Sequence, residues 1–261
     1  MNLRMNLRMN LRMNLRMNLR TLALVVIPAI VLVGLAPSAA HAAPSPDEVL
    51  AKANAIVAPE AYNATVQMVA TRKDGTTKTY VFRTMKQGSD KLRLTFEEPR
   101  TLTGHELLRL GDDLWRYVPS LKRSMRIASR DDFEAGDFRN ADFLRVDLVH
   151  DYKITGMKDV GDNWVLDLTA STTQAGYDRI VYTVRKSDGM PLEQEFYASS
   201  GKKLRSLTFS DPVSFGKHVR PSKVKMVNEL ARGQSTDMTI QSFELVDSIP
   251  PKTFQRESLG R

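Results

Sequence analysis

Between Val66 and Ile240, apolar side chains fall at every second position, and the run is cut at short intervals by residues that turn a chain. The alternating segments are Val66-x-Met68-x-Ala70, Tyr80-x-Phe82, Leu92-x-Leu94-x-Phe96, Trp164-x-Leu166-x-Leu168, Ile180-x-Tyr182-x-Val184, Leu207-x-Phe209, Val224-x-Met226 and Met238-x-Ile240. A period of two puts the apolar set on one face of a strand and the charged or hydroxylated set on the other. Between the segments stand Asp74-Gly75, Gly88-Ser89-Asp90, Gly111-Asp112-Asp113, Gly161-Asp162, Ser187-Asp188-Gly189, Ser199-Ser200-Gly201 and Arg232-Gly233. These are the tight turns of an antiparallel meander. With about ten or eleven strands it should curl into a barrel or a strongly bent sheet rather than stay flat. No linker rich in Pro and Ser divides the run, so residues 43–261 are expected to form a single domain.

One wet face and one apolar face require a cover for the apolar one, and little helix is on offer. Residues 46–58 carry Val49, Leu50, Ala53, Ile56 and Val57 at helical spacing, with Asp47 and Glu48 in the first turn. A second short helix is expected at about residues 140–149. So small a cover on so large a sheet leaves room for a ligand.

The N-terminus reads as a separate object. Residues 1–20 are five copies of Met-Asn-Leu-Arg, followed by the apolar run from Thr21 to Leu35 and the exit Ala36-Pro-Ser-Ala-Ala-His-Ala42. A basic start, an apolar middle and the Ala40-His41-Ala42 end make a secretory signal peptide over residues 1–42, cleaved between Ala42 and Ala43. The alternative is an uncleaved anchor, but the apolar run falls short of the roughly 20 residues that span a bilayer, and it contains Pro28. The period of the repeat is far too short for a solenoid, so it is a duplication without structural meaning. The expected location is the bacterial periplasm.

Removing that segment changes the electrostatics. Five arginines and no acid leave with it, so 38 basic against 30 acidic residues becomes 33 against 30. A net charge of that size is a poor footprint for nucleic acid, which is not an expected partner, and allows only transient membrane contact. The chain has no cysteine. That excludes a thiol enzyme, a zinc-thiolate site and an acylated lipoprotein, and leaves the core alone to hold the fold.

Motifs for covalent chemistry are missing: there is no Gly-rich phosphate loop, no His-Glu-x-x-His and no Gly-x-Ser-x-Gly. His41, His105, His150 and His218 are scattered. No metal, cofactor or catalytic residue is therefore expected, and the chain does not read as an enzyme. The densest signal lies from Leu114 to Leu148, where an aromatic strand, a basic turn and an acidic loop bearing phenylalanines run into an apolar helix. Asp131, Asp132, Glu134, Asp137, Asp142, Asp147 and Asp151 could hold calcium or form a solvated loop. They lack the glycine-centred calcium pattern, and Lys122, Arg123 and Arg126 offer ion pairs within the same stretch. Trp115, Tyr117, Phe133, Phe138 and Phe143 could be plain core. Together with Met68, Met85, Met125, Met226 and Met238 they also suit an apolar surface that adapts to a ligand of variable shape.

The pattern Leu114-Trp-Arg-Tyr-Val-Pro-Ser-Leu-Lys-Arg123, then Arg126-Ile127, Asp142-Phe143 and Asp147-Leu148, resembles the outer-membrane lipoprotein-sorting family of LolA-like periplasmic carriers, in particular its branch associated with RND-type exporters. Tyr197 with Gly201-Lys202, Arg220-Pro221, Met226-x-Asn228, Gly233 with Thr236, and Ile249-Pro250 with Phe254 and Leu259 continue the resemblance to the end of the chain. Asn140-Ala141 stands where the family has Gly-Ser, and Gly136-Asp137-Phe138 offers an earlier match for the same loop.

The resemblance implies a mainly β fold, a half-open antiparallel β-barrel with a short helical lid. It implies a carrier that shelters the acyl chains of a lipoprotein or lipid, takes its cargo from an inner-membrane RND-type exporter, delivers it toward the outer membrane and works as a monomer. On this reading Leu94, Phe96, Trp115, Tyr117, Met125, Leu166, Tyr182 and Met226 line the cavity, while Phe138, Phe143 and Leu144 gate it. The alternative on the same scaffold is a periplasmic sensor or regulator that binds lipid or lipoprotein.

Overall fold

In the computed structural model, residues 43–134 and 136–261 are described, and the signal segment expected over residues 1–42 lies outside them. The chain opens with helix α1 (Pro46–Val57), which Ser45 caps: its hydroxyl accepts from the Glu48 N–H at 3.3 Å, while the Glu48 carboxylate accepts from the Ser45 N–H at 2.7 Å. Six strands follow: β1 (Ala61–Thr71), β2 (Thr77–Gln87), β3 (Lys91–Glu98), β4 (Glu106–Leu110), β5 (Asp113–Val118) and β6 (Arg123–Arg126). Two short helices come next, α2 (Asn140–Leu144) and α3 (Leu148–Asp151). Seven more strands complete the chain: β7 (Tyr152–Val160), β8 (Asn163–Ala170), β9 (Arg179–Arg185), β10 (Pro191–Tyr197), β11 (Lys203–Phe215), β12 (His218–Asn228) and β13 (Ser235–Leu245).

All thirteen strands belong to one antiparallel sheet, in the order β6-β5-β4-β3-β2-β1-β13-β12-β11-β10-β9-β8-β7. The fold class is the expected one, mainly β, with a large unclosed sheet and few helices. It has more strands than expected because β4, β7 and β10 alternate weakly: Glu-Leu-Leu-Arg-Leu in β4 puts apolar residues on both faces, and each of the two faces is covered.

The pairing of β1 with β13 makes two meanders meet at the centre of the sheet. It also leaves β6 and β7, which are consecutive in the chain, at opposite edges. Residues 127–151 must therefore travel from one edge to the other, and they do so across the apolar face. That segment carries α2 and α3, while Arg145, Val146 and Asp147 separate the two helices.

The inward face follows the alternation. Tyr62, Ala64, Val66, Met68 and Ala70 of β1 are buried, and across the sheet Val66 sits opposite Phe82 and Met68 opposite Tyr80. The main core joins these to Leu94, Phe96, Leu166, Tyr182, Met226 and the phenylalanines of the crossing segment. Helix α1 adds Val49, Leu50 and Ala53, and the Lys86 ammonium donates to the carbonyls of Ala58 at 3.2 Å and Pro59 at 2.7 Å just past the helix end.

A second, smaller core lies on the opposite face of β2 to β5. There Leu108, Trp115 and Tyr117 meet Ile249, Phe254 and Leu259 of the C-terminal segment. Arg93 clamps that segment: its guanidinium binds Glu106 at 2.8 Å and donates to the Thr253 carbonyl, the Ser258 hydroxyl and the Ser258 carbonyl at 3.1–3.2 Å. Gly260 has a φ of +79° and rests on the Tyr117 ring, where a Cβ would collide.

Both Arg93 and Glu106 are buried, so removing the carboxylate leaves a guanidinium without its counter-charge. Glu106→Ala is expected to cost about 3–5 kcal/mol in urea unfolding. Glu257→Ala, which breaks only the exposed pair with Arg256, should change stability by less than about 1 kcal/mol. Equal effects of the two substitutions would contradict the clamp.

Candidate functional site

Beneath residues 127–151 lies a cavity of about 150 Å³ on the apolar face of the sheet. Central strands form its floor, with Val66 of β1, Phe82 of β2, Val224 of β12 and Ile240 of β13. Phe138, Phe143, Val146 and Leu148 roof it, and Tyr177 and Phe196 close the side toward β9 and β10. A cavity of this size is comparable to one that takes a single benzene ring. A long acyl chain is larger than this space.

The roof holds on by two kinds of contact. Its underside is aromatic: Phe143 lies 5.4 Å from Phe82 edge to face, 4.1 Å from Phe133 and 5.0 Å from Phe138, and Phe133 stacks on Phe96 at 5.7 Å. Its rim is polar. Asp137 accepts from the Thr236 hydroxyl at 3.0 Å and from the Asn228 amide at 3.1 Å, while its own N–H donates to Thr236 at 2.9 Å. Arg145 binds Asp151 through two hydrogen bonds of 2.6 Å and reaches Asp112 at 3.0 Å. Glu134 pairs with Arg116 at 2.7 Å, and Asp132 with Arg205 at 2.7 Å. Gly176 is needed on the far side, because a Cβ there would stand 2.9 Å from the Ala141 Cβ.

Glu134 and Asp132 therefore pair with arginines of other strands and Asp151 with Arg145 of its own segment, and the expectation of pairing with Lys122, Arg123 and Arg126 fails. Arg126 instead joins Asp113 on the neighbouring strand. The reason is topological: the crossing segment leaves the basic turn behind and meets arginines of other strands. Among the described residues, no group of three His, Asp or Glu side chains could hold a metal ion.

Electrostatics differ around the cavity. Burial pushes the Asp142 carboxyl up, against hydrogen bonds from the Arg139 N–H at 2.6 Å and the Tyr177 hydroxyl at 2.9 Å. Burial acts on Asp151 in the same sense, but hydrogen bonds from Arg145, His150 and Thr172 outweigh it and hold that carboxyl down to about 2. Arg220 of β12 is another case. It lines the cavity, is only 8% exposed, and among the described residues has no hydrogen bond or ion pair to its guanidinium. The Phe243 ring lies 4.3 Å from the guanidinium carbon. Such a contact is worth about 2 kcal/mol when desolvated, whereas removing a charge from water costs several. Burial accordingly lowers the Arg220 pKa to about 10.

The expected site residues separate into three groups. Phe138 and Phe143 line the cavity, and Leu144 is buried beside them. Leu94, Phe96, Leu166, Tyr182 and Met226 are buried in the core on the same face, outside the cavity wall. Trp115 and Tyr117 point to the other face, since Leu114 is the inward residue of β5, and Met125 is 39% exposed on the edge strand β6. Residues not expected but present in the wall include Tyr62, Tyr177 and Arg220. The parity of β1 could have indicated Tyr62, and that of Val224-x-Met226 in β12 could have indicated Arg220; nothing local marks Tyr177, which lies between strands.

Comparisons with known proteins follow from the fold. A family model described as "Uncharacterized protein" matches residues 88–261. No curated protein matches the sequence. Among solved structures, a LolA superfamily protein from Nitrosomonas europaea superposes with a TM-score of 0.75 at 23% identity, covering 83% of this chain and 100% of the other. A putative outer membrane lipoprotein-sorting protein domain from Vibrio parahaemolyticus gives 0.68 at 24% identity, covering 82% and 96%. A DUF1329 family protein from Desulfovibrio piger gives 0.71 at 20% identity, covering 81% and 96%.

The Asp151 carboxyl predicts a pH dependence. Its folded value lies below the ordinary 3.8, so its contribution is complete above about pH 5 and is lost as pH falls toward about 2, roughly 2 kcal/mol in all. In urea unfolding, the stability gap between wild type and Asp151→Asn should narrow from about pH 5 to about pH 2. A gap that stays constant would show that the Arg145 contact does not hold the carboxyl ionised.

Proposed function

We propose that this chain, which belongs to the family matched over residues 88–261 and has the fold of LolA superfamily proteins, is a periplasmic carrier of acyl chains that delivers a lipoprotein or lipid toward the outer membrane without covalent chemistry. The observation that carries the reading is an apolar cavity whose roof is a separate segment, docked on the sheet by phenylalanines and a polar rim. An exposed lipid chain costs about 0.8 kcal/mol per methylene in water, so transport between membranes needs an enclosed apolar surface. The floor of β1, β2, β12 and β13 supplies such a surface, and displacing Phe138 and Phe143 uncovers it. An RND-type exporter in the inner membrane is the proposed donor. Among the described residues no helix is long and apolar enough to cross a membrane.

Native mass spectrometry of protein purified from the periplasm should find acyl cargo, and an apolar fluorescent probe should bind saturably. Ile240→Trp fills the cavity from its floor and should weaken the probe at least about tenfold while the protein still unfolds cooperatively. Absence of both cargo and probe binding in the wild type, or full binding by a folded Ile240→Trp variant, would overturn the carrier reading.

A further inference from the structure

We infer that Arg220 is a head-group site inside the cavity, and that the ligand it fits is a lipid ending in a single oxyanion, a carboxylate or a phosphate. The inference rests on the carrier reading above and narrows its cargo. Among the described residues, four charged side chains line the cavity: Asp142, Arg145, Asp151 and Arg220. Three of them are engaged. Arg145 and Asp151 bind each other, and Asp142 accepts from the Arg139 N–H and the Tyr177 hydroxyl. Among the described residues, Arg220 alone faces the same space with no carboxylate beside it, and its buried Nε has no partner.

Its surroundings are apolar and rigid. Phe243 covers one side of the guanidinium, and Phe243 is itself fixed by His218, stacked at 5.2 Å, and by Tyr62 at 4.8 Å. His218 is anchored in turn to the Ile56 carbonyl of α1 at 2.9 Å. Tyr62 is the ionisable neighbour, and burial raises its pKa, so its hydroxyl stays protonated and offers no counter-charge at neutral pH. A pKa of about 10 leaves the guanidinium charged at neutral pH. The cavity thus holds an uncompensated positive charge at the border of an apolar floor, and an acidic lipid matches both parts. Its chain would lie over Val66 and Ile240, and its oxyanion would meet the planar fork of the guanidinium, which binds two oxygens at once. A neutral ester of the same chain would cover the charge and leave it unpaired.

The test compares cis-parinaric acid with its methyl ester by fluorescence titration, on wild type, Arg220→Gln and Arg220→Lys. Wild type should prefer the acid by about tenfold or more. Arg220→Gln should bind both equally, with the ester affinity kept, and Arg220→Lys, which keeps the charge without the fork, should retain part of the preference. Competition by dodecanoate against dodecyl phosphate then tells a carboxylate head from a phosphate head. Equal binding of acid and ester to the wild type, or an undiminished preference in Arg220→Gln, overturns the role of Arg220 while the carrier reading stands. If neither probe binds the wild type, the carrier reading itself falls. A misfolded Arg220→Gln is recognised by its lost ester binding, and Arg220→Lys then decides: an acid preference equal to that of wild type counts against the fork.

Discussion

The pairing of β1 with β13 governs the rest of the molecule. It joins the beginning and the end of the strand-forming chain at the centre of one sheet, so the middle of the chain holds both edges. Because β6 and β7 are neighbours in sequence and the two extremes in space, residues 127–151 cannot turn back tightly and must cross the apolar face. A cover is thus a consequence of topology. What the sequence of that segment adds is the means of docking: Phe133, Phe138 and Phe143 beneath, and Asp132, Glu134, Asp137 and Asp142 at its margins.

The magnitudes make that docking exchangeable. Burying a phenylalanine or leucine side chain is worth about 1.5–3 kcal/mol, so Phe133, Phe138, Phe143 and Leu144 together hold the cover with roughly 6–12 kcal/mol before its ordering is counted. An acyl chain of about sixteen carbons would gain about 13 kcal/mol, at about 0.8 kcal/mol per methylene, on leaving water for the same floor. The two are of one order of magnitude, which suits the proposed carrier role, where a chain is accepted and given up. Of the ion pairs at the margin, Arg205–Asp132 adds direction more than strength, since its carboxylate is exposed and screened by water, while Arg116–Glu134 is only partly exposed. Arg145 with Asp151 is the buried exception and fixes the break between α2 and α3.

Period-two alternation made most of the sheet legible before any coordinates. Tyr80-x-Phe82 and Leu92-x-Leu94-x-Phe96 lie in strands whose apolar residues face inward as their spacing implies. Strands with apolar residues on both faces were not legible, and β4 is the clearest, because its second face is covered by a C-terminal segment that only folding brings near. The same hidden partner explains Trp115 and Tyr117. Their size suggested a cavity wall, but parity with Leu114 places them under Ile249, Phe254 and Leu259. Arg220 shares the parity of Val224-x-Met226 and so belongs to the inward face, but an arginine there interrupts the apolar alternation, and the Phe243 ring that covers it comes from another strand.

The central claim is that residues 127–151 form a detachable cover over a persistent floor, and hydrogen–deuterium exchange along the chain tests it most directly. Amides of α2 and α3 should exchange far faster than those of β1, β2 and β13, and binding of an acyl ligand should change exchange in residues 127–151 while leaving those central strands unchanged. Exchange in α2 and α3 as slow as in the central strands, and unaltered by ligand, would mean that the segment is a permanent part of the core, and the account would be wrong.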